Sequence, residues 1–110
     1  MKIHTKEESD VKIVLFEGEM DTNTSPEAEA HLNELRANGA QKILLNFEKV
    51  DFISSAGLRV LLATAQEVKS AGGELRVCSL NETVKEVFDI SGFSTLLMVF
   101  EDEARALSGF

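Results

Sequence analysis

The sequence contains no tryptophan, no tyrosine, one cysteine and one proline. A lone cysteine, Cys78, excludes an internal disulfide, so stability has to come from packing. Seven phenylalanines are the only aromatics, which leaves Val, Ile, Leu, Ala and Phe to build the core. Basic residues are few: 11 Lys and Arg stand against 19 Asp and Glu, a net charge of −8. Nucleic acid is bound by neutralising phosphates with Lys and Arg, and anionic membranes attract polybasic segments. The charge therefore argues against both. It would steer a basic protein partner towards the surface or serve solubility alone. No apolar run approaches the roughly 20 residues of a membrane span. The opening Met1–Lys6 has no apolar signal region behind it, so the expected compartment is the cytoplasm.

Enzymatic constellations are also missing. His4 and His31 are isolated, and metal binding needs converging ligands. Asp21, Glu48 and Asp51 are scattered carboxylates, read as solvated loop charges. Ser54 and Ser55 do not make a nucleophile elbow. Ile53 stands where that motif needs glycine, and both histidines precede the serines. Ala71-Gly72-Gly73 ends a helix rather than opening a phosphate loop. Cys78 lies in a predicted strand and reads as a small buried apolar residue. No catalytic residue, metal or cofactor is expected, and the chain is not read as an enzyme.

What remains is a well-ordered pattern. With 44% hydrophobic residues, 110 residues make one globular domain, 1–110. Lys2–Glu7 reads as an edge strand, Glu8-Ser9-Asp10 as a turn, and Val11–Phe16 as a β-branched central strand. Gly18–Thr24 follows as a polar loop. Ser25 is expected to cap the first helix, with Pro26 at its first position and Ala28, Leu32 and Leu35 at helical spacing. Asn38-Gly39 stops it. Lys42–Phe47 is apolar enough for a strand covered on both faces, and Glu48–Ile53 is a short connection. A second helix spans about Ala56 to Ser70, with Leu58, Leu61, Leu62, Ala65 and Val68 buried and Arg59 off that stripe. Glu74–Cys78 is a fourth strand. Asn81 caps a third helix carrying Val84, Val87 and Phe88. Thr95–Phe100 and Glu101–Leu107 read as a last strand and a short helix. The order predicts an α/β fold: a mixed, mostly parallel sheet of about five strands with about four helices.

The turn Phe52-Ile53-Ser54-Ser55-Ala56-Gly57-Leu58 passes from a strand end into a helix. One serine is a natural N-cap. The same place also suits a phosphate, because a helix N-terminus presents free N–H groups and a positive dipole end. A phosphoserine there adds about −1.5 to −2 charges that the helix tolerates. It changes the surface while the fold persists. Capping and modification both remain open readings of the two serines.

Three blocks resemble the stand-alone STAS domains that act as anti-anti-sigma factors. They are Gly18-Glu19-Met20-Asp21 with Thr24, Val50–Leu58, and Gly72-Gly73-Glu74-Leu75 through Val84, Phe88 and Gly92. The resemblance implies the STAS fold and a partner-switching role. The unphosphorylated protein would bind an anti-sigma factor that is also a serine kinase of the histidine-kinase-like ATPase fold, releasing the sigma factor. Phosphorylation would dissolve that complex, and a metal-dependent serine phosphatase would reset it. By position the modified residue is Ser55, with Ser54 the second choice. Glu19, Asp21, Thr24, Ser54, Ala56, Gly57 and Leu58 would meet the partner. Two positions depart from the family pattern: Ser54 replaces an aspartate, and Ala56 replaces a serine or threonine. The alternative is a constitutive STAS interaction subunit of a transporter or signalling complex, with no phosphate involved.

Overall fold

A computed structural model describes all 110 residues. β1 (Lys2–Glu8) and β2 (Val11–Met20) form an antiparallel hairpin, followed by α1 (Ser25–Ala37), β3 (Lys42–Ile53), α2 (Ser55–Ser70) and β4 (Glu74–Cys78). Then come α3 (Glu82–Ser91), a 3-10 turn at Phe93–Thr95, β5 (Met98–Phe100) and α4 (Glu103–Leu107). The sheet order is β1-β2-β3-β4-β5, and every pair after the hairpin is parallel. The expected mixed α/β architecture of five strands and four helices is what the chain adopts.

Alternation along the strands assigns the two faces. Val14, Phe16, Ile43, Leu45, Phe47, Leu75 and Val77 join Leu32, Leu61, Val84 and Phe88 in one core under α1, α2 and α3. Phe16, Phe47 and Phe88 cross it edge to face, with ring centroids 5.7 and 6.5 Å apart. Val11, Ile13, Leu44 and Cys78 face the other way, against Ala106 of α4. β3 is thus apolar on both faces, as its composition predicted. Cys78 is fully buried, and that burial pushes its thiol above the usual range.

Several boundaries differ from the sequence reading. Gly18–Met20 was expected in a loop, but β2 continues through Met20 because β3 runs on beside it to Ile53. β3 carries two one-residue register shifts opposite β2, and Gly18 at the second has φ +112°, a bulge conformation that suits glycine. At the first, buried Asn46 accepts the Glu48 N–H at 2.9 Å. The last strand is shorter than expected, since Phe93–Thr95 forms a 3-10 turn. Ser25 lies inside α1, whose N-cap is Thr24.

Arg76 holds the chain's end. It is 6% exposed on the α4 face of the sheet. Its guanidinium donates to the carbonyls of Ala106 (2.8 Å), Ser108 (2.9 Å) and Gly109 (3.1 Å), and pairs with Glu74. The rings of Phe100 and Phe110 flank it at 5.1 and 4.4 Å. The last carbonyls of a helix have no intrahelical donor, and Arg76 supplies three N–H bonds to that end of the chain.

Candidate functional site

The parallel strands β2 and β3 end side by side, Met20 opposite Ile53. Each then turns towards a helix. Ser54 N–H donates to the Met20 carbonyl at 2.9 Å, so the two turns are joined by a backbone hydrogen bond. This edge of the domain carries the β2–α1 connection and the N-terminus of α2 together.

The β2–α1 turn is organised by Asp21. Its carboxylate accepts the N–H of Asn23 at 2.9 Å and of Thr24 at 3.0 Å. Thr24 Oγ1 donates to the Glu19 carbonyl at 2.7 Å and accepts from Asp21 N–H at 2.9 Å. The Ser25 hydroxyl donates to the Asp21 carbonyl. Glu19 is exposed and Asp21 half-buried. The Thr24 N–H, and after it the Asn23 N–H, hold the Asp21 carboxyl below its ordinary value of 3.8. Because the folded value is lowered, the turn is stabilised above the ordinary carboxylate range and released as pH falls through the lowered value. Carbon-detected titration of Asp21 should give a midpoint below 3.8, and a midpoint at or above it would contradict the turn as drawn.

The two serines have different surroundings. Ser54 is the N-cap of α2, extended at φ −94°, ψ 174°, and its Oγ accepts the Gly57 N–H at 3.4 Å. Its side chain is half-buried. Ser55 is the first helical residue and is exposed. α2 has no acid in its first turn, whereas α1, α3 and α4 carry Glu27, Glu82 and Glu103 there. Its positive dipole end therefore lacks the carboxylate the other helices have.

Ala56 is half-buried, while Gly57 is buried. Leu58, expected on the docking face, is only 5% exposed and belongs to the main core. The first turn of α2 lies so close to the strand ends that its inward residues must pack there. A Cβ on Gly57 would come within 2.8 Å of Ile53 Cγ1, 2.9 Å of Met20 Cγ and 3.0 Å of the Met20 carbonyl oxygen. Gly57 and Leu58 therefore support the site from below, and Glu19, Asp21, Thr24, Ser54, Ser55 and Ala56 form its outer part. Gly→Ala inside a helix ordinarily gains about 1 kcal/mol. Gly57→Ala is expected to reverse that sign and cost about 1–3 kcal/mol in urea unfolding, because the Met20 carbonyl is tied to Ser54 and cannot retreat. A variant as stable as the parent would show that the close approach is unimportant.

Two neighbours escaped the sequence reading as site residues. Phe52, opposite Glu19 in the register, is 41% exposed. The sequence reading placed it in a short connection, and it instead joins β3 just after the second register shift, where its side chain turns out. Asn81, read as a cap, also donates its amide to the Val50 carbonyl at 2.9 Å while accepting Val84 N–H at 2.7 Å. It fixes α3 to the outer end of β3. No group of three His, Cys, Asp or Glu side chains is placed to hold a metal ion, and no helix is long and apolar enough to cross a membrane.

The sequence profile of the STAS domain matches residues 2–106. BtrV of Bordetella bronchiseptica is 33% identical over 110 residues, spanning 100% of this chain and 95% of BtrV. An anti-sigma F factor antagonist of Paenibacillus polymyxa is 28% identical over 109 residues, 98% of this chain and 93% of that protein. Among solved structures, Bacillus SpoIIAA in its phosphorylated form superposes with a TM-score of 0.72 at 22% identity, over 94% of this chain and 96% of SpoIIAA. That is a likeness of fold. With the profile spanning nearly the whole sequence and BtrV aligned along all of it, the chain belongs to the STAS domain family of anti-sigma factor antagonists.

Proposed function

We propose that this chain is an anti-sigma factor antagonist that switches partners through phosphate on Ser55. Unmodified, it binds an anti-sigma factor that is also a serine kinase, in the cytoplasm, and so frees the sigma factor. Within that complex the Ser55 hydroxyl oxygen attacks the γ-phosphorus of ATP. The bond from that phosphorus to the β-bridging oxygen breaks, ADP leaves, and the hydroxyl proton passes to a base of the kinase. The phosphoserine opposes docking by its charge and hydration. A metal-dependent phosphatase returns serine and inorganic phosphate with water. The chain itself is a binding module and kinase substrate rather than an enzyme.

The observation that carries this reading is the contrast between the serines. Ser54 Oγ is taken up by the Gly57 N–H, while the exposed Ser55 opens α2 beside the Asp21–Thr24 turn. The outer site residues are the surface the anti-sigma factor would cover. The relatives' names support the antagonist role, and the acidic balance suits a basic partner.

The test is intact-mass measurement after incubation with ATP and an extract of the host, with fragmentation to place the phosphate. One phosphate on Ser55, absent in Ser55→Ala, is the expected result. Phosphate on Ser54 would keep the mechanism and move the acceptor by one residue. No phosphate, under conditions that modify a control family member, would assign the constitutive interaction role instead.

A further inference from the structure

The chain has four arginines. Arg36 pairs with Glu67, Arg76 with Glu74, and Arg105 with Glu101 and Asp102. Arg59 alone has no ionic partner, and its side chain is exposed on α2. It stands four residues after Ser55, so at 3.6 residues per turn the two lie about 40° apart around the helix and one turn along it. They are neighbours on one exposed face. Ser54 stands outside the helix proper, with extended backbone and its Oγ taken up by the Gly57 N–H.

We propose that Arg59 binds the phosphate of phosphorylated Ser55 within the same chain. The inference rests on the reading of Ser55 as the phosphate acceptor. A guanidinium matches two phosphate oxygens with parallel N–H bonds, a geometry no other side chain reproduces. The i,i+4 spacing brings the groups together without moving the backbone. Arg59 lines a shallow groove with Thr22, Pro26 and Glu29 of the α1 side. The Glu29 carboxylate in that groove is not in ionic contact with it, and Glu19 at the end of β2 and Asp21 after it add negative charge to the same edge of the domain. All three acids would repel a phosphate, so Arg59 is the group that holds it on α2.

Two consequences follow for the switch. The pairing favours the dianion, so the modification reaches its full charge at a lower pH than the usual second ionisation near about 6. It also withdraws from the surface the one cation of the first three turns of α2. A partner carboxylate that had paired with Arg59 would lose that contact in the same event that adds the phosphate.

Phosphoserine placed at position 55 of the full chain during translation makes the test independent of any kinase. Its second ionisation is read by 31P NMR titration in the parent and in Arg59→Gln and Arg59→Lys. The acid dissociation constant is expected to be about two- to fourfold larger with Arg59 than with Gln. Lys should restore part of the difference, and salt should diminish it. Phosphoserine at position 54 should titrate alike with and without Arg59. Equal titration of the position 55 phosphate in the parent and Arg59→Gln would overturn the proposal. That failure is distinct from failure of the switch, which appears as absence of phosphate in the intact-mass experiment. Arg59 is exposed and unpaired, so its replacement should leave the thermal midpoint in place, and circular dichroism confirms that each variant is folded.

Discussion

If the proposed switch holds, Ser55→Asp is expected to weaken binding to an anti-sigma factor kinase by at least about tenfold while barely moving the thermal midpoint. The two halves of that result have separate causes. Ser55 is exposed at the first position of α2, and no acid sits in that first turn. A carboxylate there meets the positive end of the helix dipole, an interaction of about 0.3–1 kcal/mol in the stabilising direction. The fold loses nothing by the change. An interface that covers this residue must instead strip water from a new charge beside Glu19 and Asp21. Titration of parent and variant against the kinase, together with thermal melts of both, separates the effects. A melt lowered by several degrees would assign Ser55 a structural role and remove the support for a switch. Ser54→Ala is the complementary control. It deletes the oxygen that accepts Gly57 N–H, and loss of such a cap costs about 1 kcal/mol.

The largest stability loss is expected at Arg76. Arg76→Ala should cost about 2–4 kcal/mol in urea unfolding, because a buried group that loses its hydrogen bond costs about 1–3 kcal/mol, while the Glu74 carboxylate left behind reaches solvent. Three carbonyls, those of Ala106, Ser108 and Gly109, would lose their donors. The Phe100 and Phe110 rings would lose the cation between them. Lysine is a poor substitute because one ammonium cannot reach all three carbonyls and stack between rings as a planar guanidinium does. The damage should be local first. α4 packs over Cys78 through Ala106, so a loosened terminus uncovers the thiol. Alkylation of Cys78 should therefore be slow in the parent, where burial keeps the thiol protonated, and markedly faster in Arg76→Ala at denaturant concentrations well below the unfolding transition. Parent-like stability and parent-like alkylation would show that the terminus is held by apolar contact alone.

Much of the fold was legible because it rests on local patterns. The double-sided apolar run of β3 announced a central strand, and burial on both faces is what the structure shows. Asn81 marked the start of α3, where its side chain accepts the Val84 N–H. Errors gathered where long-range pairing overrides local preference. Gly18-Glu19-Met20 looks like loop, but β3 carries the ladder through it. Thr24 rather than Ser25 stands at the N-cap of α1: its carbonyl takes the Glu27 and Ala28 N–H groups, while the Ser25 hydroxyl turns back to the Asp21 carbonyl.

By itself, the sequence determined the order of elements, the choice of a mostly parallel sheet, and the placing of two serines at the start of α2. Hydrophobic period and helix-cap chemistry act between residues a few positions apart, so a linear reading captures them. Only the tertiary structure decided which serine is engaged and which is free, that Phe52 turns out, and that Arg76 clasps the chain's end. Each of these depends on a neighbour distant in sequence: Met20 under Gly57, Glu19 beside Phe52, Ala106 over Arg76. Such contacts exist only once the sheet has set the spacing between its strands and helices.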